Sequence, residues 1–167
     1  MRTLRAAMLS GLGCLPTFAD AADPARQEAI QELGSVLAWR MGPETVEEAC
    51  RPLDPEGVAA RKQSLDAWLA KNAPLIGEVD TRVAAVAPAL YAKPTSTDVV
   101  KAIRAQIRSL LLEVNFDGLS EEDRKAKCRA EADPASPRWN NPGMPQVKIS
   151  LAVLYDWQVR SGESADP

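Results

Sequence analysis

An all-α bundle of about five to six helices, mostly antiparallel and closed by one disulfide, is the fold this sequence predicts. Three observations carry that expectation. Thr97 to Phe116 places Val99, Val100, Ile103, Ile107, Leu110, Leu111 and Val114 at three- and four-residue steps, which is one wide apolar face on a long helix. Asp23-Pro24 and Asp54-Pro55 both set a capping residue before proline, the chemistry that opens a helix. Cys50 and Cys128 form an isolated pair once the leader is set aside, and in an oxidising compartment such a pair is most simply a disulfide.

The leader is MRTLRAAMLSGLGCLPTFADA: two arginines, an apolar run from Ala6 to Phe18, then Ala19-Asp20-Ala21 in the small-x-small order of a cleavage site. It reads as a secretory signal over residues 1–21. A lipoprotein signal ending at Cys14 is the rival reading, and Gly11 stands where such signals carry a branched apolar residue. No later window reaches the roughly 18 to 20 apolar residues of a membrane span, so the sequence predicts a periplasmic or secreted chain with no span. Residues 22–167 number 146 and suit a single helical domain.

The first helix is expected from Pro24 to about Met41, with Ile30, Leu33, Leu37 and Met41 in register and Gly42-Pro43 ending it. ETVEEACR, residues 44 to 51, then makes a short separate helix. Asp54 caps the next, which runs to Lys71, and Asn72-Ala73-Pro74 turns the chain into a further helix, so that the pair forms a hairpin. Pro88 should kink or end that one. The long helix follows, and Ser120 with Asp123 three residues on is a variant capping box for a polar helix from Glu121 to Ala132. Four prolines in the 13 residues from Asp133 to Pro145 predict an irregular connection. In the last segment Val147, Ile149, Leu151, Val153, Tyr155, Trp157 and Val159 alternate as in a half-buried strand. Helix is nevertheless the reading adopted, because a lone strand would leave its edges unpaired.

The chain has no histidine, which excludes histidine-based triads and histidine metal ligands. Neither glycine-rich phosphate fingerprint occurs. Without Arg2, Arg5 and Asp20 the 20 basic and 23 acidic residues become 18 and 22, a net charge of −4, which argues against nucleic acid as a partner. No catalytic residue, metal site or cofactor is assigned. Two acidic clusters, Glu44, Glu47 and Glu48, and Glu121, Glu122 and Asp123, lie in first turns of expected helices, where negative charge is favoured for structural reasons.

The candidate binding residues are Arg138, Trp139 and Asn140 in the proline-rich connection, with Arg104 and Arg108 from the row of cations on the long helix. Tryptophan and arginine anchor many contact patches, and loops concentrate function. Burial of Trp139 in the core and a solvated or ion-paired row of cations are the plainer alternatives. Three functions are weighed: an exported binding module of inhibitor or immunity type acting on a protein partner in the cell envelope, a small cell-wall enzyme using one glutamate, and an envelope assembly accessory. The first leads because the menu of catalytic groups is thin, so the chain is read as a non-enzyme. The sequence leaves the oligomeric state open. The exported product should begin at Ala22, as intact mass of protein recovered from periplasm or medium will check; a soluble cytoplasmic product retaining Met1 would contradict both export and the disulfide argument.

Overall fold

The computed structural model of the chain describes residues 23–91, 96–140 and 143–162, and the leader lies outside them. Within the described residues there are five helices: α1 Pro24–Cys50, α2 Val58–Leu90, α3 Ser96–Phe116, α4 Glu121–Ala130 and α5 Met144–Arg160. The all-helical expectation holds, at the lower of the two expected helix counts. Helix α1 packs against all four others, while α3 and α5 each pack on both α1 and α2 and make little contact with each other. The hub is therefore α1 and not the more regularly patterned α3. Val114, expected in the buried stripe of α3, is exposed.

The main core joins Leu33, Val36 and Leu37 of α1, Val79, Val83 and Val86 of α2, Ile103 and Ile107 of α3, and Leu151 and Leu154 of α5. Polar contacts set its ends. Arg26 donates through Nε and Nη2 to the Leu90 carbonyl, at 3.0 and 2.7 Å, so a cation meets the negative C-terminus of α2. Ser150 of α5 donates to the Glu32 carboxylate of α1.

Three expected breaks do not occur. Helix α1 continues through Gly42-Pro43, and the separate helix over residues 44–51 is its last two turns. Positive φ among the described glycines is confined to Gly118 and Gly162, so Gly42 keeps a helical backbone. A proline inside a helix costs about 3 kcal/mol. Burying a side chain such as Val46 returns about 1.5 to 3 kcal/mol, and Cys50 and Pro43 itself are buried as well, so packing outweighs the lost hydrogen bond. Likewise α2 runs through Asn72-Ala73-Pro74, and the hairpin is replaced by one helix of 33 residues. Asn72 does not turn the chain. It lies buried and its amide donates to the Trp68 carbonyl one turn back, at 2.7 Å. Pro88 too lies inside α2, which runs on to Leu90, so the early end expected at that proline does not occur.

A further correction concerns Asp54. The N-cap of α2 is Gly57, with no side-chain cap bond, and the Asp54 carboxylate instead faces the Arg61 guanidinium. The inward line of α2 is Arg61, Ser64, Trp68, Asn72, Leu75, Val79, Val83, Val86 and Leu90, so its first half turns polar side chains inwards. Elsewhere local chemistry behaves as expected. Ser120 caps α4 by accepting from the Asp123 amide at 3.1 Å, and α4 ends at Ala130, two residues short of the expected boundary. Helix α5 takes the helical alternative: Val147, Leu151, Leu154 and Trp157 are buried, whereas Ile149, Tyr155 and Val159 of the same alternating set face out.

Arg61 is 0 % exposed and joins three segments. It pairs with Asp54, donates to the Asp54 carbonyl at 2.6 Å and reaches the carbonyls of Cys50 and Cys128 at 3.4 and 3.2 Å. A Cβ on Gly57 would overlap both Asp54 and Arg61, which is why glycine is needed there. Replacing Arg61→Ala strands a buried carboxylate and should cost about 3 to 5 kcal/mol; Gly57→Ala should also destabilise. Urea-unfolding midpoints under oxidising conditions check both, and an Arg61→Ala protein as stable as the wild type would refute the assigned role.

Candidate functional site

A smaller apolar cluster lies beside the main core. It holds Val46 and Cys50 from α1, Phe116 from α3 and Cys128 from α4, with Leu53 and Leu112 partly buried against it. Cys50 and Cys128 are at disulfide bonding distance, their Cα atoms 5.3 Å apart, closing a loop of 78 residues. On the chain-entropy account such a closure is worth about 4 to 5 kcal/mol. The bond fastens α4, whose only buried residue is Cys128, to the end of α1.

Local chemistry shapes the outer side of this cluster. The chain leaves α1 in a tight turn, with the amides of Leu53 and Asp54 both donating to the Cys50 carbonyl at 3.1 and 2.9 Å. Helix α3 stops at Phe116, and Gly118 takes the left-handed conformation, φ 70°, that lets α4 set off in a new direction. Between these ends lies a shallow, largely open groove of about 590 Å³. Ala49, Leu53, Leu112 and Phe116 give it an apolar floor, and Ser109, Glu113, Asp117 and Arg124 stand around it. Arg124 Nε donates to the Leu119 carbonyl at 3.1 Å. Exposed Glu113 lies in the last turn of α3 and exposed Asp117 directly after it, where the helix's own carbonyls add to the negative field.

Each of the residues singled out in the sequence makes a polar contact within the fold. Trp139 is 7 % exposed, and its indole Nε1 donates to the Glu131 carbonyl at 3.0 Å. Arg138 Nη2 donates to Glu131 Oε1 at 2.9 Å and to Asn115 Oδ1 at 3.1 Å. The exposed Asn140 turns its amide onto the carbonyls of Ala135 and Ser136. Arg104 pairs with Asp80 of α2 at 2.7 Å, and Asp80 also meets Arg40 of α1 at 3.5 Å. Arg108 pairs with Glu48.

The acids of both clusters also have local tasks. Glu44 pairs with Arg40, and buried Glu47 pairs with Arg51, whose guanidinium it holds above its ordinary pKa, chiefly by hydrogen bonding. Lys125 does the reverse for Glu121 at the start of α4, its hydrogen bond keeping that carboxyl below the usual range.

Two groups of residues escaped the sequence reading. Glu131 organises the connection: its carboxylate accepts from Ser136 and Arg138 and its carbonyl from Trp139. An acid just before a proline-rich stretch, with arginine seven residues on, was the available signal. Leu53 comes from the turn after α1 and Leu112 and Phe116 from α3, and only the latter two, four apart on one helix, carried a local hint. Among the described residues no group of histidine, cysteine, aspartate or glutamate is placed to hold a metal ion. In comparisons with known proteins the chain matches no family model, no curated protein and no solved structure.

Trp139→Ala should lower stability by about 3 to 5 kcal/mol, the cost of emptying a buried tryptophan site. Chemical denaturation checks this, and an unchanged midpoint would contradict the packing described.

Proposed function

We propose that the chain is an exported binding module, and that its groove beside the disulfide receives an extended segment of a protein partner in the cell envelope. The observation that carries this reading is the half-exposed pair Leu53 and Leu112 beside buried Phe116, at the end of the fold held by both the disulfide and the Arg61 pair. A contact surface fixed before binding loses less conformational freedom on association, so a small groove can still bind with useful affinity. Its volume falls within the roughly 300 to 1,000 Å³ of common ligand sites.

Charge narrows the segment. Arg124 is engaged with the Leu119 carbonyl, whereas Glu113 in the last turn of α3 and Asp117 just beyond its end are exposed. The segment that suits this rim has one or two large apolar side chains for the floor and a lysine or arginine beside them. Export, supported by the charged, apolar and small-residue order of residues 1–21, places such a partner in the periplasm or beyond.

Selection from a displayed random-peptide library against the oxidised protein tests this reading. Apolar segments flanked by basic residues should be enriched. Leu112→Asp, shown to be folded by circular dichroism at the assay temperature, should weaken their binding by roughly thirtyfold, the equivalent of a hot spot of ~2 kcal/mol. Asp117→Lys should turn the preference towards acidic flanks. Failure to enrich, or peptides that bind Leu112→Asp undiminished, would remove the groove from consideration.

A further inference from the structure

Helix α5 has two apolar faces, and the fold uses one of them. Val147, Leu151, Leu154 and Trp157 turn inwards. On the opposite side Lys148, Ile149, Ala152, Tyr155, Asp156 and Val159 are all exposed, and at 3.6 residues per turn they lie within roughly 60° of Ala152. Ile149 is 57 %, Tyr155 49 % and Val159 53 % exposed, which puts three of the large exposed apolar side chains of the described residues on this one helix face. Scattered exposed apolar residues need no explanation, but a contiguous apolar face does.

We infer that this face is where two copies of the chain associate, α5 against α5 and antiparallel, about a two-fold axis passing through Ala152. The arrangement of charge selects this occupant. Lys148 and Asp156 stand one turn before and one turn after Ala152. An antiparallel two-fold brings each residue before Ala152 to the level of its counterpart after it. Lys148 then meets Asp156 of the second copy, and Ile149 lies level with Tyr155 of the second copy, each pairing occurring twice, as an isologous interface requires. A parallel pair would instead set lysine against lysine.

The other groups on the face fit the same geometry. Ala152 falls on the axis, where its small side chain lets the helices approach to the 8–10 Å of ordinary helix packing. Arg160 occupies Oδ2 of Asp156 at 2.6 Å, which leaves Oδ1 for the second copy. Lys148 makes no ion pair among the described residues. Tyr155 is already positioned, because the Arg82 guanidinium lies over its ring, 4.9 Å from the centroid, and Arg82 is itself bonded to Gln158. A helix of 17 residues is only about 25 Å long. The contact is thus at the small end of the range for specific interfaces, and the dimer forms by mass action as concentration rises.

Sedimentation equilibrium of the oxidised chain recovered from cells tests the inference. A monomer–dimer equilibrium is expected. Lys148→Asp alone and Asp156→Lys alone should each raise the dissociation constant by about tenfold, and the two together should restore it. Ala152→Arg should abolish the dimer. All these positions are exposed, so the circular-dichroism melt of the monomer serves as the control for folding. A chain that stays monomeric throughout, a dimer that survives Ala152→Arg, or a charge exchange that fails to restore association would each overturn the proposal.

Discussion

The buried guanidinium of Arg61 ties together the three segments that would otherwise have least reason to meet. These are the end of α1 at Cys50, the turn into α2 at Asp54 and the polar helix α4 at Cys128. Removing an arginine from water costs several kcal/mol, and it is recovered only through an opposite charge and well-placed acceptors. Asp54 supplies the charge and three carbonyls supply acceptors, while Nε is left without a partner. Such a pair contributes little net stability compared with a well-packed apolar substitute. Its consequence is positional: satisfying it fixes three backbone segments relative to one another, at the same two cysteines that the disulfide joins.

That end of the molecule contrasts with the other. Towards the N-terminus of α1 the interior is ordinary aliphatic packing, with leucines and valines of four helices in one cluster. Towards its C-terminus the interior holds Arg61, Ser64, Asn72, Glu47 and the disulfide, with the paired rings of Trp39 and Trp68, 5.1 Å apart, near the boundary. An apolar core tolerates many substitutions of similar volume, whereas a polar one admits few, because every buried donor and acceptor must be met. The proposed groove lies on the second kind of scaffold. Its floor is the outer side of a cluster held by covalent and charged links, which is a stiff support for apolar side chains that would otherwise turn inwards.

The two surfaces singled out differ in the same sense. The groove draws residues from α1, α3 and α4 and the turn after α1, so it exists only because those elements are brought together. The outer face of α5 is a property of one helix and is present in any structure in which residues 144–160 are helical. They lie on different elements.

By itself the sequence determined what depends on neighbours along the chain. Helical period, the Ser120 cap, the end of α3 before Gly118 and the choice of all-α all follow from residues within a turn or two of one another. The pairing of Cys50 with Cys128 was legible as well, because the expectation of a cleaved leader and an oxidising compartment left two cysteines and one intramolecular bond. Only the tertiary structure decided what depends on distant residues. Pro43 and Pro74 have the local character of helix breakers, but the energy that overrides them comes from side chains of other helices packed on either side. Asp54 has the local character of a cap, yet its partner is a guanidinium drawn inwards by the carbonyls of Cys50 and Cys128. The alternation in the last segment looked like a strand, the want of a pairing partner favoured a helix, and burial against α1 and α2 chose which face of that helix turned inwards. Period and capping are short-range properties of a chain, whereas the free energy of burying a proline, an acid or an arginine is set by whatever the fold places against it.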